Sequence, residues 1–230
     1  TSMLAEDLKP NRLEAAKDVA AEFINGRPND NIGITLFAGE TFTQCPLTVD
    51  HAVLLDMIHN IKCGLIEDGT AVGMGVANAV TRLKDSKAKS KVVILLTDGT
   101  NNKGDISPLT AAEIAKSFGI RVYTIGVGTN GMAPYPYPVG NTVQYINMPV
   151  EIDEKTLTQI AGTTDGNYFR ATSNSKLKEV YEEIDKLEKT KLNVKEYSKR
   201  EEDYRWFALA AFLCVLLEVL LRNSILKKIP

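Results

Sequence analysis

Cysteine is scarce in this chain of 230 residues: Cys45, Cys63 and Cys214 are odd in number and form no Cys-x-x-Cys pair. That argues against a disulfide framework and against a thiolate zinc site. The three read as small apolar filler. Histidine is scarcer still. His51 and His59 lie eight apart on one predicted helix with no flanking nucleophile, so hydrolase chemistry has no support. Excess charge is also missing, because 27 basic and 29 acidic residues leave a formal −2. No electrostatic footprint for nucleic acid remains, and no nucleic-acid partner is expected. No internal repeat occurs. What the chain does have is 44% hydrophobic residues, enough for the core of one domain of about 200 residues.

Up to about residue 190, helical and strand patterns alternate. Asn11 can cap a helix whose apolar positions Leu13, Ala16, Ala20, Phe23 and Ile24 keep the i, i+3, i+4 rhythm, and Gly26 with Pro28 ends it. Ile32, Ile34 and Leu36 alternate as in a strand, and the segment ETFTQC past Gly39 reads as its hairpin partner. Helical patterns follow at HAVLLDMIHNI and AVGMGVANAVTRL. The unbroken run Val92 to Leu96 and the segment RVYTIGVG look like parallel strands buried on both faces, with the helix PLTAAEIAKSFG between them. Helix, strand and helix then follow at DEKTLTQIAG, NYFRA and SKLKEVYEEIDKLEK. The expected fold class is α/β: a doubly wound, Rossmann-like and mostly parallel sheet with helices on both faces. Residues 129 to 150, dense in Gly, Pro and Tyr, are expected as a long loop. Gly126, Gly128 and Gly131 spell G-x-G-x-x-G, but MAPYPYP follows where a helix is needed, so dinucleotide binding is rejected.

In such a sheet, ligands sit beyond the carboxyl ends of the strands. Asp98 stands at one of those ends, within VVILLTDGTNN, where it is either a turn former or a ligand. Thr70, in EDGTAVG, stands at the mouth of a helix, where its hydroxyl is either an N-cap or a ligand. With the hydroxyls of TSM at the start, these groups match the oxygen set that a hard cation such as Mg²⁺ requires.

TSM, DGTAVG and VVILLTDGTNNKGD, in this order and at these separations, resemble the von Willebrand factor A (VWA) domain and its metal-ion-dependent adhesion site. The resemblance covers roughly residues 1 to 190. It implies that Ser2 matches the last serine of the family's Asp-x-Ser-x-Ser loop, Thr70 the second-loop threonine and Asp98 the third-loop aspartate. The implied cofactor is Mg²⁺ or another divalent ion such as Mn²⁺ or Ca²⁺. The first aspartate and serine of that loop, and the central strand leading into it, would precede Thr1. A longer parent chain is therefore expected, with weak metal binding by the residues present here.

Past residue 190 the pattern changes. Residues 191–205 form a charged linker, and WFALAAFLCVLLEVLL then carries 15 apolar residues in 16. As a helix that run spans about 24 Å, and continuing it makes up the roughly 30 Å of a hydrocarbon core. A transmembrane helix is expected at 206–226, with a short basic tail at 227–230. Glu218 inside it costs about 2.5–3.5 kcal/mol if central and less near an interface. Seven Lys or Arg lie between Lys186 and Arg205 against Arg222, Lys227 and Lys228 at the other end, which leaves the side of the membrane open.

A membrane-proximal A domain followed by one C-terminal span resembles the bacterial aerotolerance (Bat) proteins of the BatA and BatB type. That resemblance implies the bacterial inner membrane and a binding module in stress tolerance or complex assembly rather than an enzyme. The implied partners are a protein supplying an Asp or Glu to the metal, a MoxR-type AAA+ ATPase and other Bat proteins. The competing chemistry is a Mg²⁺-dependent phosphoryl-transfer or receiver-like site on Asp98, which would need a well-placed lysine. Lys103 is the nearest candidate in sequence.

Overall fold

The computed structural model describes residues 2–139 and 142–197, with scattered helical positions between 209 and 221. The chain divides into two compact units, Thr1–Leu187 and Glu188–Pro230. The first begins with a 3-10 turn at Ser2–Leu4 and helix α1 at Arg12–Asn25, capped by the Asn11 side chain on the Glu14 amide. Strands β1 (Ile32–Phe37) and β2 (Thr41–Thr48) form an antiparallel hairpin, followed by α2 (His51–His59) and α3 (Val72–Leu83). Then come β3 (Val92–Thr97), α4 (Pro108–Ser117) and β4 (Arg121–Val127). A second hairpin, β5 (Met132–Val139) and β6 (Thr142–Pro149), precedes α5 (Glu154–Thr163), β7 (Tyr168–Ala171) and α6 (Asn174–Tyr197).

The parallel sheet has the order β3-β4-β7, and its two faces carry separate cores. The period of two along a strand divides them. Val93, Leu95 and Val122 pack with Val76, Val80, Ala112 and Ile160 of α3, α4 and α5. Tyr123, Ile125 and Val127 pack with Val19 of α1 and with Leu177 and Ile184 of α6. Helices on both faces of a parallel sheet is the expected doubly wound plan. A third core, around Leu54 and Ile58, lies under β1 and β2.

Two expectations change. Parallel pairing is confined to three strands: among the described residues β1 pairs with β2 alone, while β3 pairs with β4 alone. The segment expected as a loop, 129 to 150, is mostly the β5–β6 hairpin. Its Gly and Pro content reads as a loop, but Pro134, Pro136 and Pro138 recur every second residue. All three missing amides therefore fall on the same edge of β5, where no ladder bond is lost.

Helix α6 continues to Tyr197, inside the segment expected as a linker. The span expected at 206–226 lies outside the described residues apart from the scattered helical positions. Among the described residues, no helix is long and apolar enough to cross a membrane.

Candidate metal site at the sheet rim

Strand β3 ends at Thr97 and hands Asp98 to the rim, where its side chain is nearly buried. One carboxylate oxygen, Oδ1, accepts the Ser2 hydroxyl at 2.8 Å. The other, Oδ2, accepts Nη1 of Arg12 at 3.0 Å. Ser2 and Asp98, 96 residues apart, are thus in direct contact.

Thr70 reaches the same place. A Cβ built on Gly99 would stand 3.5 Å from the Thr70 hydroxyl oxygen, so that hydroxyl lies against the residue next to Asp98. It is not a helix cap: Ala71 holds the N-cap position of α3 and makes no side-chain cap bond. Among the described residues the Thr70 hydroxyl makes no hydrogen bond. Its backbone, in contrast, is tied on both sides. The Thr70 amide donates to Oδ1 of Asn102 at 2.9 Å, and the Asn102 amide donates to the Thr70 carbonyl at 3.0 Å. Asn101 accepts the Gly73 amide at 3.3 Å, so the small polar residues after Asp98 join the two loops.

Arg12, Asp7, Asn101 and Asn102 complete the site, and none was singled out from sequence. Arg12 opens α1 with its side chain only 4% exposed. It donates from Nε and Nη2 to the two oxygens of Asp7, at 2.8 and 2.7 Å, while Nη1 holds Asp98. A bidentate arginine is geometrically demanding, and this one also bridges to a second carboxylate. Asp7 accepts further from the amide and hydroxyl of Thr129, at 2.8 and 3.1 Å. Burial alone would raise the Asp7 carboxyl, but hydrogen bonds from Arg12 and the Thr129 amide, with the charge of Arg12, bring it down to about 2. Burial pulls the Arg12 pKa down, and Asp7 and Asp98 outweigh that and raise it.

The donor set fits a divalent ion. Two hydroxyls and a carboxylate are hard oxygen donors, suited to Mg²⁺, Mn²⁺ or Ca²⁺ rather than to a thiophilic ion. Among the described residues no group of three or more His, Cys, Asp or Glu could hold a metal, so an ion here depends on the hydroxyls. The unpartnered Thr70 hydroxyl fits that role. Lys103, the cation that phosphoryl chemistry would require, instead pairs with Glu67 at 3.6 Å and is half exposed. Cys45 is a buried free thiol and Cys63 a half-buried one.

The von Willebrand factor type A domain model matches residues 1–183. The chain is 26% identical over 220 residues to an uncharacterized protein of Borreliella burgdorferi, covering 95% of this chain and 64% of that one. It is 29% identical over 194 residues to a UPF0353 protein of Mycolicibacterium paratuberculosis, covering 78% and 55% respectively. The chain thus spans between about half and two thirds of these relatives. Among solved structures it resembles BatB from Bacteroides thetaiotaomicron, with 33% identity, a TM-score of 0.70, and 82% of this chain and 94% of that one covered. An aerotolerance-related membrane protein from Bacteroides fragilis gives 30% identity and the same TM-score, covering 80% and 92%. Proximal thread matrix protein 1 from the mussel byssus, with a zinc-occupied MIDAS motif, gives 25% identity and a TM-score of 0.60 over 80% of this chain and 43% of that one.

Proposed function

Because the chain belongs to the von Willebrand factor type A domain family, we propose that it is a binding module that captures a protein partner through a divalent cation held at Ser2, Thr70 and Asp98. The observation that carries this reading is the meeting of three loops at one rim: Ser2 on Asp98, and Thr70 against the next residue. The cation, Mg²⁺ by preference of the oxygen donors, supplies when bound an open position for an Asp or Glu of the partner.

The chain's own residues set that position. Arg12 keeps the Asp98 carboxylate in one orientation and offsets part of its charge. Asn101 and Asn102 hold Thr70 in register with Asp98. Thr70 presents a hydroxyl not engaged by the described residues. Lys103, the cation that phosphoryl chemistry would need beside Asp98, lies instead 3.6 Å from Glu67 with its side chain half exposed, which makes phosphoryl transfer on Asp98 the weaker reading.

The likeness to BatB and to the B. fragilis membrane protein supports a Bat-type role. In that role residues 206–226 anchor the domain in the bacterial inner membrane, and a MoxR-type AAA+ ATPase or another Bat protein is the partner. The test is capture of partners from membranes in Mg²⁺ or in EDTA, with the parent chain and Thr70→Val, beside an assay of acyl-phosphate formation. Capture that requires Mg²⁺ and fails in Thr70→Val supports the proposal. Acyl phosphate lost in Asp98→Ala overturns it in favour of phosphoryl transfer.

A further inference from the structure

The β5–β6 hairpin treats its two edges differently. Pro134, Pro136 and Pro138 of β5 stand opposite Asn147, Tyr145 and Val143 of β6. The Pro134 carbonyl accepts the Glu6 amide at 2.9 Å and so points away from β6. Alternate residues turn their backbone polar groups to the same side of a strand, so all three prolines lie on the outer edge of β5. Proline there removes the donors that would template another strand. The residues opposite them, Val143, Tyr145 and Asn147, turn their N–H and C=O outward on β6 in the same way.

That second edge has no such protection. Among the described residues β6 pairs with β5 alone, and all eight of its residues are exposed. It contains no proline before Pro149, and no Asp, Glu, Lys or Arg occurs anywhere from Gly128 to Val150. Val143 and Tyr145 are 57% and 58% exposed.

We propose that β6 is an interface strand whose occupant is β6 of a second copy of this chain, paired antiparallel about a two-fold axis at Tyr145. That register sets Tyr145 against its copy and Val143 against Asn147 of the other strand. It engages all three outward amides and carbonyls on each side, giving about six hydrogen bonds. Shifting the axis toward the base brings Pro149 into the ladder, and shifting it the other way brings in the hairpin tip. Two uncharged strands meet without the repulsion that identical charged edges impose, which is why a second copy fits this edge. A hydrocarbon surface fits less well, since the outward amides would find no partner in it. The outward amides and carbonyls of β6 lie on the opposite edge from the Glu6 amide, which donates to Pro134. The Tyr145 hydroxyl donates to Oε1 of Glu6 at 2.9 Å and leaves the Tyr145 backbone groups free to pair; the proposal does not rest on the metal reading.

Sedimentation velocity of the full chain over a range of concentrations tests it, with EDTA present so that metal-dependent capture plays no part. A monomer–dimer equilibrium is expected. Val143→Lys with Asn147→Lys places lysine against lysine across the axis and should raise the dimer dissociation constant at least about tenfold. Val143→Lys with Asn147→Glu places opposite charges there and should restore the dimer. Val143→Pro with Asn147→Pro removes outward donors without touching the bonds to β5 and should also yield monomer, with circular dichroism unchanged. A chain that stays monomeric, or a dimer indifferent to all three pairs of substitutions, overturns the proposal. So does a monomer that floats with uncharged phosphatidylcholine vesicles and loses that binding in the double-lysine variant, which would assign the edge to lipid.

Discussion

A Cβ on Gly128 would stand 2.6 Å from Nη2 of Arg12. Gly128 also holds φ at +132°, a backbone conformation that L side chains rarely adopt. The turn leaving β4 is therefore shaped around the guanidinium that grips both Asp7 and Asp98. Gly128→Ala should combine backbone strain with displacement of Arg12 and cost about 2–4 kcal/mol in urea unfolding. A loss below about 0.5 kcal/mol would show that the two do not press on each other.

Asp7 carries a pH signature. Its carboxyl titrates at about 2 in the folded chain against 3.8 ordinarily, so the folded state favours the ionised form. The stability this confers is present above pH 4 and is lost as pH falls through about 2. It amounts to about 2 kcal/mol. Asp7→Asn should unfold more easily at pH 7 and show a flatter loss of stability between pH 4 and 2 than the parent chain. Parallel acid-denaturation curves for the two would refute the assignment.

Thr70 separates function from folding. Since its hydroxyl makes no hydrogen bond among the described residues, Thr70→Val should change stability by less than about 1 kcal/mol. Partner capture in Mg²⁺ should nonetheless fall to the level seen in EDTA. A large drop in melting temperature would instead reveal a structural role for the hydroxyl.

Asp98 does the opposite. Asp98→Ala removes one of the two carboxylates on a buried guanidinium, which should cost about 3 kcal/mol or more. A double-mutant cycle with Arg12→Leu checks the cause: the two losses should be less than additive, because both substitutions break the same Arg12–Asp98 contact, although Arg12→Leu also strips the buried Asp7 of its ion-pair partner.

Asn102 joins two loops through one side chain and its own amide. Asn102→Ala should cost about 1–2 kcal/mol and speed amide exchange at Thr70, while leaving exchange in β4 unchanged. Uniform acceleration across the sheet would mean that the contact supports the whole domain.

Much of this molecule is written in local pattern. The apolar runs of β3 and β4, the Asn11 cap and the Pro108 helix start all reflect spacing and short-range chemistry, so the alternating α/β plan was legible from the sequence. Thr70 and Asp98 stand where predicted elements begin or end, and the family resemblance added Ser2; that the three come together at one rim was left to the fold. Arg12 and Asp7 were not legible. A charged residue at the start of a helix is ordinarily solvated, and nothing nearby in the chain reveals that Asp98, 86 residues away, will bury it.

The hairpin shows the same division. Proline and glycine density alone reads as loop, because composition does not record which edge of a strand each amide faces. Pairing with β6 decided that, by placing all three missing donors outside the ladder. Local sequence determined the elements and the residues delivered to the rim. Tertiary packing decided which carboxylates share the guanidinium and which strand edge stays open, since both depend on groups far apart in the chain meeting where water is excluded or strand partners run out.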